Sequence, residues 1–330
     1  DFDGDGSYEY KFYNIKTITD WINDKPHVIY GDIWITNGAS LNIGPGSNIY
    51  LHNNSNIIVT ESSTLNMNGG QNTDQLITVQ GDRLENYYQD IPGQWGKIWL
   101  TAGSINNKIE YTIIQNGTIG LQIDSVVNEN PSLELKNSII NNMSGLGILA
   151  QGAHVIGENL LVTNCGQYGV ALNIGGKYDF KHCTFANYYT STSRQTPNLF
   201  INNYYEDING IIQYRPLEEA NFSNCIIYGD NENELILDYD NGTDFNYNFD
   251  HCLIKLDTTI HNLNENPFFN QCLVNEEPKF IDKDMWNFEL DSTSPAINIG
   301  SENTALLVPF DINGNSRIVL PDLGCFERIE

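Results

Sequence analysis

The side chains best placed for chemistry in this chain are the carboxylates at its start. In DFDGDGSYE, Asp1, Asp3 and Asp5 precede Gly6 at the spacing of a calcium-binding loop. Such a loop needs a bidentate carboxylate at its twelfth position, where this chain has Phe12. The segment predicts a weak Ca²⁺ site at Asp1, Asp3 and Asp5, with a solvated acidic terminus as the alternative. No other cofactor is required.

Carbohydrate chemistry would need acidic residues in a recognisable order. An inverting hydrolase uses one carboxylic acid and one carboxylate on opposite sides of the glycosidic bond. Asn-Thr-Asp occurs once, at 72–74, and no Asp-Asp pair or Gly-His-Gly follows it. A lyase would need Lys or Arg beside a cluster of Ca²⁺-binding Asp residues, and cations are scarce. The catalytic residues are therefore unknown, and the sequence favours a protein that is not an enzyme.

Cysteines recur in one local setting, in FKHCTFAN (180–187), FSNCIIYG (222–229) and FDHCLIKL (249–256). None of the six cysteines forms a CxxC pair, and no His stands at zinc-finger spacing. His182 and His251 directly precede two of these cysteines, so they could form a metal-binding pair or stack at a bend beside the thiols. The pattern favours buried free thiols over metal ligands or disulfides.

These cysteines belong to a longer repeat, which predicts the elements that position them. Aligned on the cysteines, six residues fall into one column at intervals of 22 to 42 residues: Thr112, Ser138, Leu160, Cys183, Cys225 and Cys252. Short apolar runs that break at Gly, Asn or Asp surround each member, as expected for strands and turns. A repeat in this range of lengths predicts a solenoid of stacked coils, here an all-β parallel β-helix whose narrow interior column holds small side chains.

The repeat also predicts the organisation of the chain. We expect an N-terminal lead-in at 1–27, coils over 28–275 and a C-terminal capping segment at 276–330. Two insertions interrupt the coils near 82–95 and 187–217, and long loops on solenoids tend to carry binding sites. We expect Asp311, Arg317, Asp322 and Glu327 to pair in the cap and to close the open end of the stack.

The charge of the chain limits its partners. Asp and Glu number 42 against 16 Lys and Arg, which gives a formal net charge of −26. Nucleic acid would be repelled by this charge, so it is excluded as a partner. No stretch is apolar for long enough to span a bilayer. The chain opens on Asp1-Phe2-Asp3 without a signal peptide, and we expect a targeting segment to precede it.

The insertions are rich in aromatic residues, which stack on sugar rings in binding proteins. The candidate ligand-binding residues are Tyr87, Tyr88 and Trp95 in the first insertion, and Tyr188, Tyr189, Arg194, Tyr204 and Tyr205 in the second. The alternative is that these rings pack the insertions onto the coils. We expect the two insertions to line one face of the solenoid.

Two segments resemble a known family: GDRLENYYQDIPGQWGKIWLTAGSINNKIEYTIIQNGTIGLQID and NCGQYGVALNIGGKYDFKHCTFANYY. They are similar to right-handed parallel β-helix proteins of Bacteroidota, usually exported lipoproteins. The C-terminal PKF…FELDSTSPAINIG…FDINGNSR…PDLGCFE resembles the choice-of-anchor Q region of bacterial β-helix surface proteins. Together the resemblance covers about residues 28–330. It implies a right-handed, pectate-lyase-like solenoid, export to the cell surface or an outer-membrane anchor, and frequent association with glycan handling, but no particular reaction.

The sequence therefore predicts a single right-handed parallel β-helix that binds a carbohydrate or a surface protein along one face without catalysis. A polysaccharide lyase or glycoside hydrolase with an unrecognised site is the first alternative. A structural surface spacer is the second, and the aromatic insertions favour binding over it.

Overall fold

The structure is a computed structural model that describes residues 13–126, 129–259 and 266–329. Short strands dominate it, with 3₁₀ turns at Thr73–Gln75, Asn86–Tyr88 and Lys283–Met285 and one helix, α1 (Glu302–Leu307). The strands are, in chain order, β1 (Tyr13–Ile15), β2 (Thr19–Trp21), β3 (His27–Ile29), β4 (Ile33–Ile35), β5 (Ser40–Ile43), β6 (Asn48–Leu51), β7 (Ile57–Val59), β8 (Thr64–Asn68), β9 (Ile77–Gly81), β10 (Trp95–Leu100), β11 (Asn107–Glu110), β12 (Thr112–Gln115), β13 (Gly117–Ile123), β14 (Leu133–Met143), β15 (Leu146–Gln151), β16 (His154–Cys165), β17 (Val170–Asn173), β18 (Gly176–Lys181), β19 (Thr184–Asn187), β20 (Leu199–Asn202), β21 (Tyr204–Glu206), β22 (Ile212–Tyr214), β23 (Leu217–Ser223), β24 (Ile226–Gly229), β25 (Leu235–Asp238), β26 (Asn248–Asp250), β27 (Leu253–Ile254), β28 (Phe269–Asn270), β29 (Leu273–Val274), β30 (Phe280–Asp282) and β31 (Asn287–Leu290).

The strands stack into the three faces of a right-handed parallel β-helix. Face 1 contains β1, β4, β7, β10, β13, β15, β17, β20 and β25. Face 2 contains β2, β5, β8, β11, β18, β23, β26 and β28, and face 3 contains β3, β6, β9, β12, β19, β24, β27 and β29. The long strands β14 and β16 turn the corner and belong to faces 2 and 3 at once. The predicted fold class is confirmed.

Inward side chains alternate with outward ones and build the core between the faces. Ile33 and Ile35 point inward on face 1, as Leu41 and Ile43 do on face 2. In the later coils the interior is aromatic, with Phe180, Phe222, Phe249 and Phe269 stacked at centroid distances of 5.4, 4.8 and 5.0 Å. The rings stack because equivalent positions of successive coils lie about 4.7–4.9 Å apart.

The predicted cysteine column is confirmed by the register of face 3. Each member directly precedes a residue paired with the next coil, since Ile113 pairs with Ile139, Leu161 with Thr184 and Ile226 with Leu253. The column also continues to Cys272, one coil beyond the predicted members. A left-handed residue precedes seven of its members: Tyr111, Asn137, Asn159, His182, Asn224, His251 and Gln271, with φ between 47° and 56°.

The prediction of a stacked bend is likewise confirmed in these left-handed residues. The Asn159 amide donates to Asn137 Oδ1 at 2.9 Å, and the Asn224 amide contacts His182 Nε2 at 3.0 Å. Asn tolerates the left-handed conformation better than most residues. Its side-chain amide can then hydrogen-bond to the equivalent residue of the neighbouring coil, which links successive coils at the corner between faces 2 and 3.

All six cysteines are free thiols, and only Cys272, in the last coil, is partly exposed. Burial raises the pKa of Cys165 and of Cys325 to about 12, so these thiols stay protonated at neutral pH. They act as small apolar side chains rather than as nucleophiles.

Replacing Cys225 with serine should cost about 1 kcal/mol or less of unfolding free energy, because the hydroxyl can find a partner. Cys225 Sγ lies 3.4 Å from the Ser223 carbonyl, and Ser138 in the same column donates its hydroxyl to Lys136 in the equivalent way at 2.6 Å. Urea denaturation of Cys225→Ser, with Cys225→Ala as the control for lost volume, measures the difference. A loss from serine larger than that from alanine would contradict the proposed hydrogen bond.

Two predicted boundaries need correction. Coil strands are already present from Tyr13, since β1 pairs with β4, β2 with β5 and β3 with β6, so the lead-in predicted for 1–27 is partly coil. The insertion predicted at 187–217 is interrupted by β20, which belongs to face 1. It is therefore two excursions: 188–198 leaves the corner between faces 3 and 1, and the hairpin at 203–216 leaves the corner between faces 1 and 2. The strand β20 separates the two excursions because its side chains Leu199 and Ile201 point into the core.

The C-terminal segment does not close the end of the stack as expected, but lies along the outside of face 3. Outward apolar side chains there form a second cluster with it, including Leu161, Ile226 and Leu253 on the coils and Phe288 and Leu323 on the segment. Hydrogen bonds follow the flank as far as Gln71, whose amide donates to the Asn313 carbonyl at 2.8 Å. The segment lies along face 3 because it removes these outward apolar side chains from water.

Arg317 holds the segment to the coils as its central polar contact. The guanidinium is fully buried and donates to Gly324 O at 3.0 Å, to Cys325 O at 3.3 Å and to His182 Nδ1. Burial and the nearby guanidinium lower the pKa of His182 well below its ordinary value, so this imidazole is neutral. The expected mutual pairing of Arg317 with Asp311, Asp322 and Glu327 is replaced by these contacts to the coil and backbone.

In the described part of the chain, no helix has both the length and the apolar character needed to cross a bilayer.

Candidate functional site

Both insertions and the C-terminal segment meet at one groove, which we call the corner groove. It lies at the corner between faces 3 and 1 and has a volume of about 440 Å³. Its lining is Gln89, Asp90, Asn142, Asn164, Tyr188, Tyr189, Thr190, Ser191, Asp284, Met285 and Trp286. Asn142 and Asn164 form the floor because they are left-handed corner residues of successive coils, with φ of 55° and 51°.

The two predicted residues that reach this groove are Tyr188 and Tyr189. Tyr188 is only 9% exposed and stacks on Phe288 with ring centroids 6.1 Å apart. Lys283 Nζ lies 4.4 Å from the Tyr188 centroid, and burial raises the pKa of the Tyr188 hydroxyl. Tyr189 is half-buried and therefore keeps part of its ring available to a ligand. Tyr188 is thus mainly a wall of the groove, whereas Tyr189 is a contact residue.

The C-terminal wall was missed by sequence reasoning. The 3₁₀ turn at Lys283–Met285 presents Asp284, Met285 and Trp286 to the groove, and Met285 is 79% exposed. The Asp282 side chain accepts from Met285 N at 3.1 Å, which fixes the turn, and Trp286 follows with φ of 61°. The adjacent Met285 and Trp286 in a polar segment were the available signal in the sequence. The sequence could not show that these residues line a groove, because that depends on the path of the C-terminal segment along face 3.

Trp95 does not belong to a binding surface, contrary to prediction. Its ring is fully buried inside the coil, and the indole N–H donates to Gln115 O at 2.8 Å. Gly117 in the next coil leaves room for it, since a Cβ there would lie 2.7 Å from the ring. The ring fills the interior, so it cannot offer a face to a ligand.

Arg194 is likewise internal rather than ligand-binding. Arg194 is 7% exposed, and its guanidinium donates two hydrogen bonds to the Glu234 carboxylate, one of them at 2.8 Å. Glu234 also accepts from Asn198 N and Asn231 N, each at 2.8 Å. This pair ties the excursion at 188–198 to the turn before β25, which makes Arg194 a structural residue.

The remaining predicted tyrosines lie outside the corner groove. Tyr87 is 77% exposed, and Tyr88 packs edge-on against it with the Arg83 guanidinium 4.0 Å from the Tyr88 centroid. Tyr204 donates its hydroxyl to Asp238 at 2.9 Å, and Tyr205 lies 6.0 Å from Arg215. These last two stand on the opposite edge of face 1, so the insertions border face 1 on both sides.

A second groove, of about 590 Å³, gathers cations at the corner between faces 1 and 2. Lys177, Arg215 and His154 line it together with Glu129 and Glu218. Burial lowers the pKa of His154, and Lys177 Nζ lies 3.4 Å from Glu219. A neutral imidazole beside two cations is the nearest approach to acid–base machinery that we find in the described residues.

The predicted calcium site at Asp1, Asp3 and Asp5 lies outside the described residues. Within residues 13–126, 129–259 and 266–329, no group of three or more His, Cys, Asp or Glu side chains is arranged to hold a metal ion. His182 and His251 contact neighbouring side chains at the bend instead.

Glu327 gives this protein a specific dependence on pH. Burial, with the Asp322 carboxylate nearby, raises the pKa of Glu327 from 4.5 to about 7. The folded state therefore binds this proton more tightly, and the stabilisation present below the ordinary Glu pKa is lost as the pH rises through about 7. Glu327→Gln should be more stable than the unaltered protein at about pH 8, with a smaller difference at about pH 5.

Melting temperatures over this pH range test the prediction. Glu289→Gln removes an exposed carboxylate on the same flank and is the matched control for lost charge. A difference between Glu327→Gln and the unaltered protein that does not change with pH would contradict the raised pKa.

Comparison with known proteins assigns no family and no function to this chain. No protein-family model matches the chain, and no curated protein matches it either. Among solved structures, the crystal structure of pectate lyase Pel9A is similar, with a TM-score of 0.43 and 10% sequence identity over 96% of this chain and 88% of that chain. At this distance no residue role or reaction is transferred, and the description that the chain supports is that of a right-handed parallel β-helix protein.

Proposed function

We propose that this protein is a non-catalytic, exported carbohydrate-binding protein that holds its ligand in the corner groove. The observation that carries the proposal is the convergence of both insertions and the C-terminal turn on one groove with Tyr189 and Trp286 in its walls. Aromatic rings offer apolar faces to sugars, and amide and carboxylate groups accept or donate hydrogen bonds to hydroxyls. Export and attachment at a cell surface belong to the proposal through the resemblance alone.

The groove favours an uncharged ligand. Its charged lining residues are Asp90 and Asp284, both exposed carboxylates, and the chain as a whole has a formal charge of −26. An acidic glycan would be repelled by these groups, whereas sugar hydroxyls can donate to them. Gln89, Asn142 and Asn164 add neutral amides.

A glycan array on the intact chain, followed by calorimetry on the strongest ligand, tests this proposal. Tyr189→Ala should weaken binding about tenfold or more, because stacking on the ring is lost. Tyr87→Ala is the matched control, since it removes an exposed ring of the first insertion that does not line the groove. Tyr188→Ala is unsuitable because that ring packs on Phe288. Unchanged affinity in a folded Tyr189→Ala protein would reject the groove.

The enzyme alternative is tested on the same ligands. A lyase would release an unsaturated uronate product that absorbs ultraviolet light, and a hydrolase would release new reducing ends. The second groove, with His154, Lys177 and Arg215, is where such an activity would be expected to reside. Product formation that is abolished by His154→Ala would replace the binding proposal with that alternative.

A further inference from the structure

The outward side chains of face 1 form a single column along the whole stack. Strand register places one central outward residue per coil directly beside the next. From the second coil onward the column is Trp34, Ile58, Trp99, Gln122, Leu149, Ala171, Phe200 and Ile236. The C-terminal cluster described above lies on face 3, so this apolar column is separate from it.

Exposure along this column alternates from coil to coil between Trp34 and Phe200, and the last member, Ile236, is partly exposed as well. Trp34, Trp99, Leu149 and Phe200 are partly exposed and occupy every second coil. The intervening Ile58, Gln122 and Ala171 are 4%, 9% and 1% exposed, because their larger neighbours cover them. Face 1 therefore presents raised apolar side chains with a period of two coils, separated by filled gaps.

The period has a definite length. Neighbouring strands of a sheet are about 4.7–4.9 Å apart, so raised side chains two coils apart recur about every 9–10 Å. An extended β-1,4-linked polysaccharide repeats after two sugar units, which span a similar length. Alternate sugar rings of such a chain would meet one raised side chain each when the chain lies parallel to the coil axis.

A polar column runs beside the apolar one and suits hydroxyl groups. Thr36, Thr60 and Thr101 stand in successive coils, and their hydroxyls donate to the backbone of the coil before, at 3.5, 3.0 and 3.0 Å. Each hydroxyl oxygen can still accept from a ligand. Later coils continue the column with other polar side chains, Asp124, Gln151, Asn173 and Asn202.

The Trp99 ring is held in place before any ligand arrives. Its indole N–H donates to Asp124 at 2.8 Å, and Lys97 Nζ lies 4.7 Å from the ring centroid. Lys97 in turn donates to Gln122 at 2.6 Å. A ring that is already fixed loses little conformational freedom on binding.

Charge selects among the occupants of such a face. Asp124 lies beside the column, and the chain carries a formal charge of −26. Like charges oppose both an acidic polysaccharide and a second copy of this chain, whereas an uncharged chain is unaffected.

We propose that face 1 binds an extended, uncharged β-1,4-linked polysaccharide with its chain parallel to the coil axis. Alternate sugars stack on Trp34 and Trp99, and the polysaccharide chain extends along the column toward Leu149 and Phe200. The sugar hydroxyls form hydrogen bonds with the column that begins at Thr36, Thr60 and Thr101. This surface shares no lining residue with the corner groove, so experiments can reject either binding proposal and leave the other standing.

Co-sedimentation with insoluble cellulose, and calorimetry with cello-oligosaccharides of increasing length, test the proposal on the intact chain. We expect binding that strengthens with chain length beyond the disaccharide. Trp34→Ala or Trp99→Ala should each weaken it about tenfold, and the double variant should abolish it. Maltohexaose, which is α-linked and not extended, and polygalacturonate, which is charged, should bind much more weakly.

Controls separate this surface from the corner groove. Tyr189→Ala and Tyr87→Ala should leave cellulose binding unchanged. The double Trp34→Ala, Trp99→Ala variant should stay folded and keep its groove ligand, with a melting temperature lowered by the loss of the cover over Ile58 and of the hydrogen bond to Asp124. Equal binding by the folded double variant, or no binding of any β-1,4-linked chain, would overturn the proposal. Self-association that this double variant removes, seen by sedimentation, would overturn it too, because face 1 would then be an interface between copies.

Discussion

Replacing Glu234 with alanine is expected to lower the free energy of unfolding by about 3–5 kcal/mol, among the largest single effects in this chain. The carboxylate is fully buried and accepts hydrogen bonds from the Arg194 guanidinium and from two backbone N–H groups, at Asn198 and Asn231. Its removal leaves a buried cation and two buried donors without their partner. Burial raises the pKa of Glu234, and Arg194 opposes that shift.

Urea denaturation measures the loss, and two further variants interpret it. Glu232→Ala removes an exposed carboxylate two residues away and should change stability by about 0.5 kcal/mol or less. Glu234→Gln keeps the shape without the charge and should fall between the two. Similar stability in Glu234→Ala and Glu232→Ala would show that the excursion at 188–198 is not held by this pair.

Replacing Trp95 with alanine should also cost about 3–5 kcal/mol, because it empties a large volume inside the coil. The ring is fully buried, and its N–H satisfies Gln115 O, which would otherwise lose a hydrogen bond. Gly117 lies against the ring and cannot fill the cavity. A loss of ligand binding in this variant would therefore report lost structure and not a lost contact.

Trp95→Phe separates the two parts of this effect. It keeps most of the ring and removes the N–H, so it should cost less than alanine, about 1–3 kcal/mol. Thermal melting and urea denaturation of both variants give the comparison. A Trp95→Ala protein as stable as the unaltered chain would mean that the ring is not part of the interior.

The coil architecture and the cysteine column could be predicted because they repeat. A position that must hold a small side chain in every coil leaves the same trace each time, as at Ser138, Cys183 and Cys225. The bend beside it also leaves a trace, since a left-handed residue favours Asn, as at Asn137 and Asn159.

The candidate site was only partly predictable. Tyr189 reaches the corner groove as an aromatic insertion residue should, but Trp95 and Arg194 face inward. A Trp or an Arg in a loop sequence carries no mark of its direction, and burial here follows from Gly117 and Glu234 in other coils. Distant partners of this kind leave no local pattern.

Local alternation and repetition dictate strands and their burial, so the stacked coils and the inner column of small residues can be predicted from the amino-acid sequence alone. Contacts between distant parts of the chain account for the other features. They place the C-terminal segment along face 3, bring Asp284 to Trp286 into the corner groove, and align Trp34 with Trp99. Loops of unequal length hide that alignment in the sequence, since 65 positions (99 − 34) separate two tryptophans that lie only two coils apart. Only the hydrogen-bonded register between coils brings them into one column.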